Sequence, residues 1–218
     1  MVLQLDGQKL GNVFPPLLVK FFEADGNRPL PDFDIQNSPW CQFKNPWPGT
    51  ARLIRAMETT DWTASEFTEP HEEKITTVEL FAIKDATLFS KAKRHDTPEM
   101  YDSVGCDVVP VFEPHRELIE DLMQFLPFDH YYRIYVNIMH PGDYLMPHKG
   151  LQSEYAHGLK HKISIPLNLP PGFRFKVWGA GDVPLELGHP VAVNTSSRLH
   201  AVINDSHKTR YMLHVKGR

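Results

Sequence analysis

Residues 131–148 read YYRIYVNIMHPGDYLMPH, two short β-type runs on either side of a His-Pro-Gly-Asp turn. The first run is rich in Tyr, Ile and Val, residue types that are favoured in strands. Proline and glycine then interrupt it before the second run, 143–148, begins. The stretch predicts two consecutive antiparallel strands, with His148 at the end of the second.

Six further runs of the same kind follow, separated by turn signals such as Pro-Gly, Gly-Asp and Asn-Asp. They span residues 160–169, 173–179, 183–188, 190–195, 199–204 and 210–217. Eight consecutive short strands without an intervening helix are typical of an antiparallel sandwich or barrel, and the jelly roll is a common eight-stranded solution. The predicted fold class is mainly β with flanking helices, a double-stranded β-helix of the jelly-roll, cupin-like kind.

The first 128 residues are irregular, with proline turns alternating with aromatic clusters. Within them the patterns predict a short helix near Thr50 to Glu58, a strand over 79–89, a helical turn from Thr97 and a helix over 114–125. No loop or linker separates residues 1–128 clearly enough from 129–218 to indicate two domains. We therefore expect one domain over 1–218, in which 1–128 pack on a jelly-roll core formed by 129–218.

Composition limits the possible partners. The chain has 218 residues, of which 41% are hydrophobic and 23% charged, with a formal net charge of −4, so it falls in the globular class without a basic footprint. We expect neither a nucleic acid nor a membrane as partner. Two cysteines are too few for a disulfide framework, and the opening MVLQLDGQKL lacks the apolar run of a signal peptide. These features predict a soluble, cytoplasmic protein.

Two histidines are the first candidates for chemistry. His148 ends the second run and His200 begins the seventh, and these two strands lie side by side in a jelly roll. Non-heme iron is held by such a facial ligand set, with positions left open for substrate and oxygen. Arg210 begins the adjacent eighth run, where its guanidinium could hold a dicarboxylate such as 2-oxoglutarate. His214 shares a strand face with Arg210, so we expect it inside the barrel.

The run KISIPL leaves two readings open. Lys162 and Ser164 share one face of the strand, and Ile163 and Ile165 share the other. For an isolated strand, the isoleucines would face the core and Lys162 would point to water. Beside the neighbouring histidine motifs, the opposite assignment becomes attractive, with Lys162 and Ser164 facing a site.

Two spaced motifs support a family resemblance. The pattern P-G-x-x-x-x-P-H-x-G is formed by Pro141, Gly142, Pro147, His148 and Gly150. The pattern H-x-V-x-x-D followed by an arginine is formed by His200, Val202, Asp205 and Arg210. In these motifs the last ninety residues resemble the aspartyl/asparaginyl β-hydroxylase family of Fe(II)- and 2-oxoglutarate-dependent dioxygenases, whereas residues 1–128 show no such match.

The resemblance implies roles for single residues. His148 and His200 would be iron ligands, and Arg210 would pair with the distal carboxylate of 2-oxoglutarate. The family's R-x-H pair, which contributes to the co-substrate pocket, aligns with Lys162 and Ser164, a departure in both residues. The neighbouring His161 could serve instead if the register slips by a few residues. The implied reaction uses O2 to hydroxylate an unactivated C–H bond of an amino-acid-like, peptidyl or other small substrate, with succinate and CO2 as co-products.

Gly150 stands where most 2-oxoglutarate oxygenases have a carboxylate ligand. The iron could be completed by water, as the resemblance implies, by halide, as in radical halogenases, or by a remote carboxylate such as Glu154. The chain could also be a non-catalytic cupin-like module that binds no metal or another metal such as Zn²⁺. A competing H-x-E at His115 and Glu117 lies at the start of a predicted helix, where residues i and i+2 diverge and cannot chelate one ion.

Overall fold

The computed structural model describes residues 2–5, 8–23, 39–62, 65, 68–70, 75–85, 87–89, 101, 104–150, 161–195 and 198–217. Its helices are α1 (Pro16–Glu23), α2 (Thr50–Thr59) and α3 (Arg116–Phe125), and a 3-10 helix spans Pro110–His115. The strands before α3 are β1 (Val2–Leu5), β2 (Gln8–Val13), β3 (Trp40–Gln42), β4 (Thr68–Pro70), β5 (Thr76–Ile83) and β6 (Cys106–Val108). Those after it are β7 (Tyr131–Met139), β8 (Tyr144–His148), β9 (His161–Pro166), β10 (Phe173–Val177), β11 (Gly181–Asp182), β12 (Val191–Val193), β13 (His200–Asn204) and β14 (Arg210–Gly217).

Two antiparallel sheets dominate the described part of the chain. The major sheet has the order β3-β12-β9-β14-β7-β5-β4, with β6 also paired to β5, and the minor sheet has the order β11-β10-β13-β8. β1 and β2 pair with each other. This mainly β architecture with few helices confirms the predicted fold class. Strands from both sides of residue 128 share the major sheet, since β5 pairs with β7 and β3 with β12; the single-domain assignment stays a prediction.

The two faces of the major sheet differ in chemistry. Its outer face is apolar and packs against α2 and α3 in one continuous cluster of buried side chains. That cluster includes Leu53, Met57, Leu118, Leu122, Val78, Leu80, Ile134, Val136, Ile163, Ile165, Leu213 and Val215. Because successive residues of a strand point to opposite faces, the residues between these strand positions line the other face, towards the minor sheet. The inner face is where the polar side chains lie.

One of the eight predicted C-terminal strands is wrong. Residues 183–188 form no strand, and the short β11 precedes them at Gly181–Asp182. Pro184 has no N–H to donate to a ladder, and the segment instead turns on itself through a bond from Leu185 N to the carbonyl oxygen of Val183. Gly188 then adopts a φ of +76° in a turn. The other seven runs each contain a strand.

The N-terminal elements are partly as predicted. The short helix near Thr50 is confirmed as α2, but the strand predicted over 79–89 ends at Ile83. Asp85 begins a helical turn there, with its carboxylate accepting a hydrogen bond from Leu88 N at 2.9 Å. The helix predicted over 114–125 starts at Arg116, because Pro110 opens a 3-10 helix before it. Of the turn predicted from Thr97, only 101 and 104 lie within the described residues.

No helix of the described residues is long and apolar enough to cross a membrane.

Candidate active site

A central cavity of about 50 Å³ lies between the two sheets. The minor sheet contributes Leu145, His148, Phe175, His200 and Val202 to its wall. The major sheet contributes Asn137, Met139, Lys162, Ser164, Val193, Arg210 and His214, and Ile75 and Thr195 complete the lining. The cavity thus has His148 and His200 on the side of the minor sheet, and Lys162, Arg210 and His214 on the side of the major sheet.

The two candidate ligand histidines face each other across a strand pair. His148 and His200 are direct partners in the register of β8 and β13, and their ring centroids are 4.2 Å apart. The register shifts between His200 and Val202, which is opposite Leu145. Because of this β-bulge, Leu145 and His148 both line the cavity although they are three residues apart. Pro147 lies within the bulge, which is a common position for proline in a sheet.

Backbone carbonyls fix the proton on both rings. His148 Nδ1 lies 2.7 Å from the carbonyl oxygen of Met146, and His200 Nδ1 lies 3.3 Å from that of Arg198. A carbonyl only accepts hydrogen bonds, so in each neutral ring Nδ1 holds the hydrogen and Nε2 keeps its lone pair. This is the arrangement in which the far nitrogen of a histidine serves as a metal ligand.

Burial keeps His200 neutral. Its side chain is 4% exposed, and burial, together with His148 and Lys162, lowers its pKa to about 3. A buried imidazole that resists protonation retains the Nε2 lone pair at neutral pH. The ring is therefore in the state that a metal ion requires.

Arg210 is a buried cation for which the described residues provide no carboxylate partner. It is 3% exposed, its guanidinium carbon lies 4.0 Å from the ring centroid of Phe173, and Nη1 has only the sulfur of Met139 at 3.5 Å. Within the described part of the chain its Nε has no hydrogen-bond partner. Burial lowers its pKa to about 9, which still leaves it charged at pH 7. A buried, charged guanidinium without a carboxylate partner indicates a site for an anion.

Lys162 and Ser164 line the cavity from the neighbouring strand. In the register of β9 and β14, Ser164 is opposite His214, and the Ser164 hydroxyl lies 2.8 Å from His214 Nδ1. The isoleucines of the same strand, Ile163 and Ile165, are buried in the outer apolar cluster. The structure therefore realises the second of the two readings of this strand. The side chain of His161 lies outside the described residues.

The position that a carboxylate would take is crowded by Thr195. Gly150 N donates to the carbonyl oxygen of Thr195 at 2.8 Å, and a Cβ built on Gly150 would lie 3.3 Å from Thr195 Oγ1. Among the described residues, no three His, Cys, Asp or Glu side chains converge as a metal cluster would require. Glu154, the remote alternative, lies outside the described residues.

Of the three imidazoles in the cavity wall, His214 has Asn137 and Ser164 at its two ring nitrogens. His148 and His200 therefore remain as the candidate ligands, and the described residues show no third one.

All five predicted site residues, His148, His200, Arg210, Lys162 and Ser164, line the one cavity. The competing pair His115 and Glu117 lies elsewhere: His115 ends the 3-10 helix, and Glu117 forms an exposed ion pair with Arg52.

Asn137, Phe173 and Thr195 were missed by the sequence reasoning. An asparagine inside the apolar run YYRIYVNIM is a signal that could have identified the first of them, since a polar residue in a buried strand needs a partner.

The residues of the cavity fit the groups that the motifs imply. Two Nε2 lone pairs can hold a divalent metal such as Fe(II), with the remaining positions open. Arg210 and Lys162 provide two cations for the two carboxylates of 2-oxoglutarate. The structural observation that calls for such an anion is the Nε of Arg210, which has no hydrogen-bond partner among the described residues.

No family model matches the chain, and no curated protein matches it. Among solved structures, an oxidoreductase of the 2OG-Fe(II) oxygenase family from Burkholderia pseudomallei is 15% identical, covers 77% of this chain and 76% of its own, and has a TM-score of 0.43. A prolyl-4-hydroxylase from Pseudomonas putida is 16% identical, with 83% and 93% covered and a TM-score of 0.44. A viral collagen prolyl hydroxylase from Paramecium Bursaria Chlorella virus-1, in complex with 2OG, is 9% identical, with 82% and 95% covered and a TM-score of 0.45. These likenesses are weak, so the function proposed below depends on the residues of the cavity.

Proposed function

We propose that this protein is an Fe(II)- and 2-oxoglutarate-dependent dioxygenase of the aspartyl/asparaginyl β-hydroxylase kind. With iron bound, the reaction converts a C–H bond to C–OH, while 2-oxoglutarate and O2 give succinate and CO2. The substrate class is an amino-acid-like, peptidyl or other small molecule.

In this proposal each wall of the cavity has one task. His148 and His200 hold the metal through Nε2, and the carbonyls of Met146 and Arg198 keep both rings in that tautomer. Arg210 binds the distal carboxylate of 2-oxoglutarate, with Phe173 stacked on its guanidinium. The cation and the hydroxyl on β9 orient the rest of the co-substrate. Most of the remaining lining is apolar, with Ile75, Leu145, Phe175 and Val202 among it, and so limits the access of water to the reacting bond.

One observation carries the proposal. A pair of histidines in direct strand register, each with Nδ1 on a carbonyl, shares a cavity with a buried arginine that lacks an acidic partner among the described residues. A purely structural arginine at 3% exposure would be expected to pair with a carboxylate, because burying an unpaired charge is costly. A metal bound by the two histidines, beside a dicarboxylate bound by the arginine, accounts for both the histidine pair and the buried charge.

The test is an anaerobic titration of the protein with Fe(II) and 2-oxoglutarate, following the metal-to-ligand charge-transfer absorption. We expect the band in the wild type and its loss in His148→Ala and His200→Ala, because two ligands are the minimum for the site. Arg210→Ala should bind iron but weaken 2-oxoglutarate by about 10- to 100-fold, the effect of losing a charge-assisted hydrogen-bonded pair.

Two exposed residues supply matched controls for this titration. His207→Ala removes an exposed turn histidine, and Arg52→Ala removes an arginine that is 47% exposed on α2. Both variants should titrate like the wild type. If the wild type gives no band, the dioxygenase proposal fails; if His148→Ala keeps the band, the assignment of the ligand fails.

A radical halogenase is the second candidate, because Gly150 supplies no carboxylate ligand and a halide as well as water could complete the iron. The mass of the product separates the two: hydroxylation adds one oxygen, whereas halogenation replaces hydrogen by chlorine. Succinate release without any modified product across a substrate panel would leave the substrate open, and absence of both succinate and the charge-transfer band would favour a non-catalytic cupin-like module.

A further inference from the structure

A row of four hydrogen-bonded side chains crosses the inner face of the major sheet. Thr77 Oγ1 donates to Asn137 Oδ1 at 2.9 Å, Asn137 Nδ2 lies 3.2 Å from His214 Nε2, and His214 Nδ1 lies 2.8 Å from Ser164 Oγ. The residues lie on β5, β7, β14 and β9, which are consecutive in the sheet. The row ends in the central cavity, where Ser164, His214 and Asn137 are all part of the wall.

The direction of each hydrogen bond follows from the chemistry of the groups. The Thr77 hydroxyl occupies the oxygen of the Asn137 amide, so the NH2 group of that amide faces His214. An amide nitrogen only donates, and Nε2 of His214 must therefore accept. A neutral imidazole then has its single hydrogen on Nδ1, which donates to Ser164 Oγ.

This order determines what the Ser164 hydroxyl can do. Since its oxygen already accepts from His214, its own hydrogen remains to be donated, and no second protein partner of this hydroxyl lies within the described residues. Ser164 itself is 3% exposed. A buried hydroxyl that faces a cavity and is turned into a donor is suited to an acceptor such as a carboxylate oxygen.

The surroundings of His214 hold the ring in the neutral form. It is 6% exposed, and burial, with the nearby charges of Lys162 and Arg210, lowers its pKa well below the usual value. Arg133 and Lys216 add to this effect, whereas Tyr135 packs against the ring at 5.0 Å between centroids. The tautomer, and not the charge, is what the row controls.

We propose that Asn137 and His214 are positioning residues, which orient the Ser164 hydroxyl so that it donates to a carboxylate of the bound 2-oxo acid. This inference rests on the proposed function, and it adds to the contacts made by Arg210 and Lys162 a hydrogen bond from the Ser164 hydroxyl to the co-substrate. Thr77 sets the amide of Asn137 and so begins the row. A serine and a histidine on neighbouring strands thus act together where the resembling family has one histidine on β9.

The test is a double-mutant cycle on the Kd for 2-oxoglutarate, measured anaerobically with Fe(II) bound. His214→Leu removes the Nδ1 donor and should weaken 2-oxoglutarate about 10- to 100-fold in the wild-type background. In the Ser164→Ala background the same change should have little further effect, because there is no hydroxyl left to orient. His214→Asn, whose amide can place an N–H near the Nδ1 position, should stay within about threefold of the wild type.

A second measurement does not depend on any variant. The ¹⁵N shifts of histidine in the labelled, metal-free wild type should show His214 as a neutral ring with its hydrogen on Nδ1. A hydrogen on Nε2, or an equal loss of 2-oxoglutarate affinity from His214→Leu with and without the Ser164 hydroxyl, would overturn the inference.

The affinity for Fe(II) should be the same in His214→Leu as in the wild type, which separates loss of orientation from misfolding. If the wild type binds no 2-oxoglutarate at all, the proposed function fails first.

Discussion

Gly150 determines, at the scale of one residue, what could complete the proposed metal site. Most 2-oxoglutarate oxygenases have a carboxylate ligand at this position, two residues after the first histidine. Here the position is a glycine whose backbone N–H donates to the carbonyl oxygen of Thr195. A side chain at 150 would meet Thr195 Oγ1 at 3.3 Å, tight enough that the hydroxyl would have to move by a few tenths of an ångström. No positive φ restricts this glycine, so space and not backbone strain decides which residues fit.

This contact leads to a prediction for Gly150→Asp and its matched control Gly150→Ala. Both add the Cβ that crowds Thr195, but only the aspartate adds a third ligand, a carboxylate oxygen, to the two imidazole nitrogens. We expect Gly150→Asp to bind Fe(II) about tenfold or more tightly than Gly150→Ala, because a carboxylate completes the facial set. Isothermal titration with Fe(II) under anaerobic conditions measures the difference. Equal affinities would mean that the aspartate does not reach the metal.

Motif spacing identified His148, His200 and Arg210, which the structure brings together at one cavity, but it did not identify Asn137 and Thr195, which line the same cavity. His148, His200 and Arg210 lie at the ends of strands, where the motif and the order of strands fix their neighbourhood. Asn137 and Thr77 are joined by a hydrogen bond between neighbouring strands, and such bonds depend on a register that a single sequence does not specify.

At the scale of elements, α1 supports the strands that bear the two histidines. Its apolar side chains pack on the outer face of the minor sheet in a cluster formed by Phe14, Leu18, Val19, Phe22, Ala201 and Ile203. Lys176 of β10 also donates from Nζ to the carbonyl oxygen of Phe22 at 3.0 Å. Ala201 and Ile203 alternate with the cavity residues His200 and Val202, so one strand joins helix packing to the site.

Leu18→Ala and Leu17→Ala test this support with neighbouring leucines of one helix. Leu18 is fully buried and Leu17 is 62% exposed. Leu18→Ala should lower the free energy of unfolding by about 2–5 kcal/mol, the cost of a cavity in a packed core. Leu17→Ala should change it by less than about 0.5 kcal/mol. Urea unfolding followed by circular dichroism measures both, and similar values for the two variants would show that α1 does not pack as described.

Two local features that the sequence pattern did not predict, the loss of the strand over 183–188 and the bulge in β8, both lie beside a proline. The run 183–188 has strand composition, but its proline and the turn at Gly188 remove it from the ladder. The bulge in β8 has no signal in alternation either, since Leu145 and His148 would point to opposite faces of a regular strand. Local backbone chemistry overrides the periodic pattern at both places.

At the scale of the whole molecule, the outer face of the major sheet buries apolar groups, whereas the space between the sheets buries charges and histidines beside a second apolar cluster. The outer face of the major sheet provides the continuous apolar cluster, while its inner face holds charges such as the buried ion pair of Arg133 with Glu79. Two histidines, His200 and His214, are buried in the neutral form between the two sheets. Their proton affinity therefore couples the stability of the entire fold to pH.

The sign of that coupling follows from the direction of the pKa shifts. In the unfolded chain a histidine has a pKa of about 6.5, whereas burial, with His148 and Lys162, lowers the pKa of His200 to about 3 in the native state. Between these values the unfolded chain binds a proton that the native state does not. The stability that the neutral ring contributes is therefore fully present above about pH 6.5 and is lost progressively as the pH falls towards 3.

We therefore expect the metal-free protein to unfold more easily at pH 5 than at pH 7, with His200 alone contributing about 2 kcal/mol to the difference. His200→Gln should reduce the pH 7 minus pH 5 difference by that amount, because glutamine does not titrate and any cost of the substitution that is independent of pH cancels. His207→Gln, at an exposed turn, is the control and should leave the difference as in the wild type. Urea unfolding at the two pH values gives the numbers. If His200→Gln keeps the full wild-type difference, the pKa of His200 is not lowered in the native state. The ring would then be protonated at pH 5 and could not offer Nε2 to a metal at that pH.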